Sequence, residues 1–351
     1  MDAINIVWFG NGTASHAWRI GGIARHMNTE TPHAVYVTDW TKWNKKLTEG
    51  TNIVISELLT SPEMVDDCHA QGAKVIWEAD DAFLDTYGKE ERKNLTTVVG
   101  EFKEKTIETI AKCDALTVTN EELKANYARF TDKPIYVLPN YIDFGWYGHG
   151  KLNIERTTDE IRIGWFGSQG HLEDLQMIIP ALKEILEKYQ NTKFIYAGFG
   201  GMSSNRLVTE AGWGEDVFKK LPRDRREYVM GVREDHWPMK HRTLDLDIGI
   251  SPLIDDAFNR CKTPIKWMEY SILSTPSVCS PVLYEDVIEH GKTGFIAHNV
   301  ADWVKYLSLL IEDSEKRKEV GAKARKAVEE NYDLDNHWEK WENVYKKVLN
   351  A

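Results

Sequence analysis

In "AFNRCKTPIKWMEYSILSTPSV" (residues 257–278), Arg260, Lys262 and Lys266 gather around a turn, and Glu269 follows inside an otherwise apolar pattern. Pro264 suits the first turn of a helix, where its missing N–H costs nothing. Lys262 and Thr263 then stand just before a helix that opens at Pro264 and Ile265, with free backbone amides pointing outward. Such an end attracts anions through its dipole, and each nearby cation adds a charge-assisted hydrogen bond. The chemistry expected there is retention of a diphosphate. Glu269, about one and a half turns further on, is placed to accept hydrogen bonds from vicinal ribose hydroxyls, because a carboxylate among Trp267, Met268, Ile272 and Leu273 is costly unless it has such work. The plainer alternative is a solvated salt-bridge set of Lys262 or Lys266 with Glu269.

A second concentration of charge lies in "VIWEADDAFLD", where a buried-strand pattern ends in Glu78, Asp80, Asp81 and Asp85. Acceptor-hydroxyl binding, general base action and divalent metal coordination all suit carboxylates at a strand end, and so does a helix cap with an acidic turn. "FIYAGFGG" brings Gly198 to a strand end where backbone can approach a ligand. "VMGVREDHW" offers exposed main chain at Gly231, Val232 and Arg233 for the edge of a base. The first loop, "GNGTASHAWRIGG", resembles a dinucleotide fingerprint, with Asp39 at the end of the next strand pattern. Ser15, however, occupies the third glycine position of that fingerprint. An NAD-dependent oxidoreductase therefore stays only as an alternative.

The elements that must position these groups recur twice. "INIVWFG" followed by "NGTASHAWRIGGIARHM" reads as strand, turn and helix, with apolar spacing at Trp18, Ile23 and Met27. "IRIGWFGSQGHLEDLQMIIPALKEILEKY" repeats the pattern, with Gly167, Ser168 and Gly170 in the turn. Further strand patterns at 33–39, 52–58, 73–81, 115–120 and 135–140, and then at 193–201, 228–232, 246–253, 275–280 and 294–297, alternate with helix-length segments. That alternation predicts parallel βαβ units with right-handed crossovers. The expected fold is α/β, with two Rossmann-like doubly wound domains facing a cleft. The boundaries are 1–150, 151–332 and a closing helix at 333–351, whose face of Trp338, Trp341, Tyr345 and Val348 packs back on the first domain.

Composition narrows the class. A chain of 351 residues exceeds the size at which one core stops growing. No run approaches the roughly 20 apolar residues of a membrane span, and the N-terminus lacks the pattern of a signal peptide, so a cytoplasmic location is expected. Cys68, Cys113, Cys261 and Cys279 have neither CxxC pairing nor zinc-ligand spacing and read as reduced thiols. A net charge of -11 disfavours broad adhesion to nucleic acid or anionic lipid while permitting a local basic cleft. The 13 Trp are unusually many, and most read as core or interdomain packing, leaving the rest to stack on a sugar or base.

"LDIGISPLIDDAFNRCKTPIKWMEYSILSTPSVCSPV", continued by "YEDVIEHGKTGFIA", resembles the donor-binding segment of family 4 glycosyltransferases of the GT-B fold, and "IRIGWFGSQGHLEDL", "FIYAGFGG", "VIWEADDAF" and "CDALTVTNEELKANY" extend the likeness over most of the chain. The resemblance implies a retaining transferase that moves a sugar from a nucleoside diphosphate sugar, with a UDP-sugar favoured, to an acceptor hydroxyl. Glu269 matches the second glutamate of the family's Glu-x7-Glu signature. Cys261 stands where the first would fall, and Asn259, Lys262 and Thr263 match an Asn-x-x-Lys-Ser/Thr subgroup. No histidine stands near the end of "IWEADD", so Asp80 or Asp81 takes that space.

By this likeness Lys262, Lys266, Asp80 and Asp81 are catalytic. Glu269, Arg260, Asn259, Thr263, Pro264, Ile265, Gly167, Ser168, Gly198, Gly231, Val232 and Arg233 bind donor, while Gly12, His16, Arg19 and Glu78 bind acceptor. No cofactor or obligatory metal is implied. The acceptor, be it a saccharide, a lipid-linked sugar, a protein or a hydroxylated DNA base, stays open. So does a nucleotide-sugar binding protein without turnover.

Overall fold

A computed structural model of the chain describes residues 3–10, 17–57, 61–86, 101–148, 150–152, 154, 156, 158–199, 215–233 and 236–351. Two six-stranded, wholly parallel sheets organise it. The first contains β1 (Asn5–Gly10), β2 (Ala34–Asp39), β3 (Ile53–Glu57), β4 (Lys74–Ala79), β5 (Ala115–Val118) and β6 (Ile135–Val137), in the order β2-β1-β3-β4-β5-β6. The second contains β7 (Ile161–Ser168), β8 (Thr192–Phe199), β9 (Arg226–Met230), β10 (Ile248–Ser251), β11 (Ser277–Cys279) and β12 (Phe295–Ile296), in the order β12-β11-β10-β7-β8-β9. Every strand pattern read from the sequence is a strand. β3 is buried along its whole length and β1 at all but its first residue, because helices cover both sheet faces.

Strand order reverses between β1 and β3 in one sheet and between β7 and β10 in the other. In open α/β sheets the crevice beyond the strand ends at such a reversal is where ligands bind. The helix Leu172–Lys188 covers β7 with Leu175, Ile178, Ile179, Leu182, Ile185 and Leu186, an apolar stripe at three- and four-residue steps.

The chain passes between the lobes twice, and the two passages lie side by side. Ile142 N–H donates to the Tyr332 carbonyl (2.8 Å), and Leu334 N–H donates to the Ile142 carbonyl (3.0 Å). The helix Gly22–Glu30 approaches this crossing so closely that a Cβ on Gly22 would fall 2.3 Å from Leu334 Cδ2. The helix Glu339–Leu349 then returns to the first lobe, where Trp341, Val344, Tyr345 and Val348 join Ile6, Trp8, Ile23 and Met27 in one core. Trp338, at the start of that face, caps the helix, packs half-buried against the same core and stacks on His26 at 5.7 Å. Among the described residues no helix is long and apolar enough to cross a membrane.

Because Trp341 is a first-lobe core residue supplied by the far end of the chain, Trp341→Ala should cost about 3–5 kcal/mol of stability. Urea denaturation would show this as a large drop in midpoint. A midpoint within error of the parent would mean that the returning helix is not part of that core.

Candidate functional site

The helix Ile265–Ile272 sits over the reversal in the second sheet, and Tyr270 holds it there. The Tyr270 hydroxyl shares its proton between the Gly164 carbonyl of β7 (3.0 Å) and the Ile250 carbonyl of β10 (3.1 Å). Its ring lies so close to β10 that a Cβ on Gly249 would come within 2.5 Å of it. Pro264 caps the helix, and the first intrahelical bond runs from Met268 N–H to the Pro264 carbonyl (3.1 Å). The N–H groups of Ile265, Lys266 and Trp267 precede that bond and have no carbonyl one turn back to take them.

The preceding turn, Ala257–Arg260, reaches across to the first lobe. Phe258 and Cys261 pack into the first-lobe core, with Cys261 only 3% exposed. The Lys262 carbonyl then accepts from Asn120 Nδ2 (2.7 Å), Thr263 Oγ1 accepts from Asn140 Nδ2 (2.9 Å), and Lys262 Nζ pairs with Asp81 (3.2 Å). Asn259 is buried, donating to Asp174 Oδ1 (2.9 Å) and to the Ile254 carbonyl (2.9 Å), which fixes the turn from below.

These elements enclose a cavity of about 250 Å³. The first lobe contributes Trp18, Asp80 and Asp81, and the crossing contributes Trp146. The second lobe contributes Gly167, Ser168 and Phe166 from β7, His171 and Trp237, and then Lys262, Thr263, Ile265, Lys266 and Glu269. Gly167 is needed for space, since a Cβ there would lie 2.8 Å from the Trp165 ring.

Glu269 is 3% exposed, and both of its hydrogen bonds end on Oε1, from Trp237 Nε1 (2.8 Å) and from the Tyr147 hydroxyl (3.4 Å). Burial raises its pKa to about 7 against the pull of those donors and of Lys266. Lys266 is held below the usual lysine range, first by burial in the cavity wall and then by the charge of Lys262. Its ammonium has no hydrogen-bond or ion-pair partner among the described residues, whereas Lys262 has Asp81. His171, buried beside them, has its Nδ1 2.8 Å from Asp174 Oδ2. The cavity wall therefore combines Lys262, paired with Asp81, and an unpaired Lys266 with Asp80, Glu269 and indole rings, groups suited to an anionic ligand bearing hydroxyl groups.

Several expected site residues lie elsewhere. Arg19 and Glu78 do not face a ligand: Arg19 is 0% exposed, and its Nε donates to Glu78 Oε1 (2.6 Å) while Nη1 reaches Asn140 Oδ1 (3.1 Å) and the Leu138 carbonyl. Burial lifts the Glu78 carboxyl despite the guanidinium beside it. The pair instead braces Asn140, the residue that docks Thr263. Arg260 is exposed and closes on Asp255 through two hydrogen bonds (2.6 and 3.0 Å), away from the cavity wall. Gly198 and Gly231 adjoin through a 2.7 Å backbone bond at the ends of β8 and β9, beside the cavity rather than in its wall. Val232 packs on the core cluster that contains Phe166 and Trp237, and Arg233 is exposed. Asp39 accepts the Thr41 N–H (2.7 Å) at the strand end. Gly12 and His16 lie outside the described residues.

Sequence reading missed His171 with Asp174, although their i, i+3 spacing at a strand-to-helix turn was visible in "GSQGHLEDL". It also missed the Trp237 and Tyr147 donors to Glu269. These stand 32 and 122 residues away and leave no local signal.

No protein-family model and no curated protein matches the sequence. Solved structures do. The fold is similar to the sucrose-phosphate synthase of Thermosynechococcus elongatus (TM-score 0.68, 9% identity, 99% of this chain and 100% of that one). It is similar to Anabaena HepE in complex with UDP-glucose (0.63, 10%, 98% and 100%). It is also similar to TarM (0.60, 17%), where 85% of this chain spans 55% of the other. The fold is GT-B: two doubly wound lobes with the cavity between them.

Burial and the neighbouring cations lower His171 to a pKa of about 3, and burial with Lys151 lowers His241 to the same value, against about 6.5 in an unfolded chain. Between those limits the unfolded state binds more protons, so this stability is complete above about pH 6.5 and is lost as pH falls, at about 1.4 kcal/mol per pH unit for each histidine. Glu269, with its raised pKa, works in the opposite direction over part of that range. His241→Gln removes one titrating group, so its urea midpoint should fall less steeply than the parent's between pH 6.5 and 5. Parallel pH dependences would contradict the buried neutral state of His241.

Proposed function

We propose that this chain is a glycosyltransferase that takes a sugar from a nucleoside diphosphate donor held against the second lobe. The observation that carries the reading is the unpartnered Lys266 ammonium. It stands beside Lys262, at the amide end of a helix, in a cavity at a sheet reversal. Two lysines and free backbone N–H groups make a strong site for a diphosphate and offset the charge that grows on it as the bond to the sugar breaks. Glu269 lies three residues beyond Lys266 and lines the same cavity, where it receives the ribose hydroxyls. The complexes of HepE with UDP-glucose and of S. aureus TarM with UDP support a UDP-sugar as the donor class.

On the facing wall Asp80 and Asp81, with Trp18 and Trp146, take the acceptor hydroxyl and the ring that carries it. A donor diphosphate competes with Asp81 for Lys262, so donor binding frees the Asp81 carboxylate toward the acceptor. Transfer then proceeds on the front face with retention, the leaving diphosphate oxygen receiving the acceptor proton. Lysines and amides supply the electrostatic work, and no resident metal enters this scheme.

Transfer from radiolabelled UDP-sugars to a panel of sugar acceptors tests the reading. Lys266→Met keeps the apolar length and deletes the charge; it should lower kcat roughly a hundredfold, the scale of a lost oxyanion donor, with a modest change in donor binding. Glu269→Ala should raise the donor KM by about 2–3 kcal/mol in binding terms, and Glu269→Gln by less. Unchanged kcat in the first and unchanged donor affinity in the second would defeat the assignment of this cavity.

A further inference from the structure

The scheme above leaves His171 unused, although its ring forms part of the cavity wall that holds both lysines. Asp174, itself fully buried, receives Ile254 N–H (2.9 Å) and Asn259 Nδ2–H (2.9 Å) on Oδ1, and its Oδ2 lies 2.8 Å from His171 Nδ1. A carboxylate so surrounded is ionised, so Nδ1 carries the hydrogen and Nε2 keeps its lone pair. The Trp165 ring packs edge-on at 6.2 Å against the imidazole, and the Nδ1 contact with Asp174 fixes which edge of the ring faces the helix. Among the described residues no group hydrogen-bonds Nε2.

The charged groups facing the ring are Asp174 from its own helix, Lys262 and Lys266 from the neighbouring helix and its approach, Glu269 one turn deeper, and Asp80 and Asp81 across the cavity. Without a ligand, burial and the two lysines keep the imidazole neutral. A bound diphosphate reverses the balance, because it neutralises the lysines and adds negative charge beside Nε2, and opposite charge within about 4–6 Å favours the protonated ring.

We propose that binding of the donor's diphosphate loads a proton onto His171 Nε2, so that the imidazolium, braced by Asp174, becomes the third cation donating to the leaving group. This rests on the reading that a nucleoside diphosphate sugar binds in this cavity. The proton comes from solvent as the donor enters. When the bond from the anomeric carbon to the diphosphate oxygen breaks, its electron pair stays on that oxygen, the acceptor hydroxyl proton passes to the diphosphate, and the new glycosidic bond forms from the acceptor oxygen. His171 keeps its proton through that step and returns it to solvent when the diphosphate leaves.

Calorimetric titration of the full chain with UDP-glucose, whose diphosphate does not titrate near neutrality, in buffers of different ionisation enthalpy at pH 7.5 measures the protons taken up. The parent should take up roughly half a proton to one proton. His171→Asn keeps an N–H for Asp174 but cannot titrate; it should lose that uptake, and its affinity should depend less on pH between 6 and 8.5. In the parent labelled with 15N-histidine, the lone-pair signal of His171 Nε2 should move to the protonated range on saturation with UDP-glucose. Uptake in His171→Asn equal to the parent's, or an Nε2 signal that keeps its lone pair when UDP-glucose is bound, overturns this inference alone. No binding of UDP-glucose overturns both the UDP-donor reading and the inference built on it.

Discussion

The helix Ile265–Ile272 faces the cavity with a lysine and a glutamate three residues apart, and much of the surrounding structure serves to make that tolerable. Desolvation works against both charges at once, lifting Glu269 and lowering Lys266. Glu269 is compensated by the Trp237 indole and the Tyr147 hydroxyl, and the next residue, Tyr270, ties the helix to β7 and β10. Lys266 has no such partner among the described residues. A cation kept unpaired in a cavity wall destabilises the empty state, and under the proposed function that cost is relieved most fully as charge builds on the departing diphosphate.

The same constraint explains how the lobes are joined. The turn before the helix is anchored by Phe258 and Cys261 in the first-lobe core, and it docks through Asn120, Asn140 and Asp81. Behind Asn140 stands the Arg19–Glu78 pair, which costs desolvation yet holds the docking amide in one orientation. The returning C-terminal helix closes over that pair, with the Arg19 guanidinium 5.4 Å from the Trp341 ring centroid. A change deep in the first lobe is thereby connected to the position of Thr263 at the mouth of the helix.

The strands were legible because buried parallel strands read as short apolar runs, and the βα alternation gave the two sheets. The helix start at Pro264 and its cations were legible because their signals are local. What failed was reach. Arg260 carries the right charge in the right segment, but Asp255 takes it five residues back. Arg19 and Glu78, 59 residues apart, each suit a surface site in isolation; only the fold reveals that β4 brings one beneath the other. Cys261, at the position where the resemblance would put a glutamate, is a member of the first-lobe core, a placement that only the fold reveals. His171 was overlooked because the partner that gives it meaning, the neighbouring lysine pair, is some 90 residues on in sequence.

Diffraction from crystals grown with UDP-glucose tests the central claim most directly. The claim predicts diphosphate oxygens within about 3.2 Å of Lys266 Nζ and of the first backbone amides of the Ile265–Ile272 helix, with the ribose hydroxyls on Glu269. A nucleotide bound anywhere else, with Lys266 still lacking an anion, would contradict it.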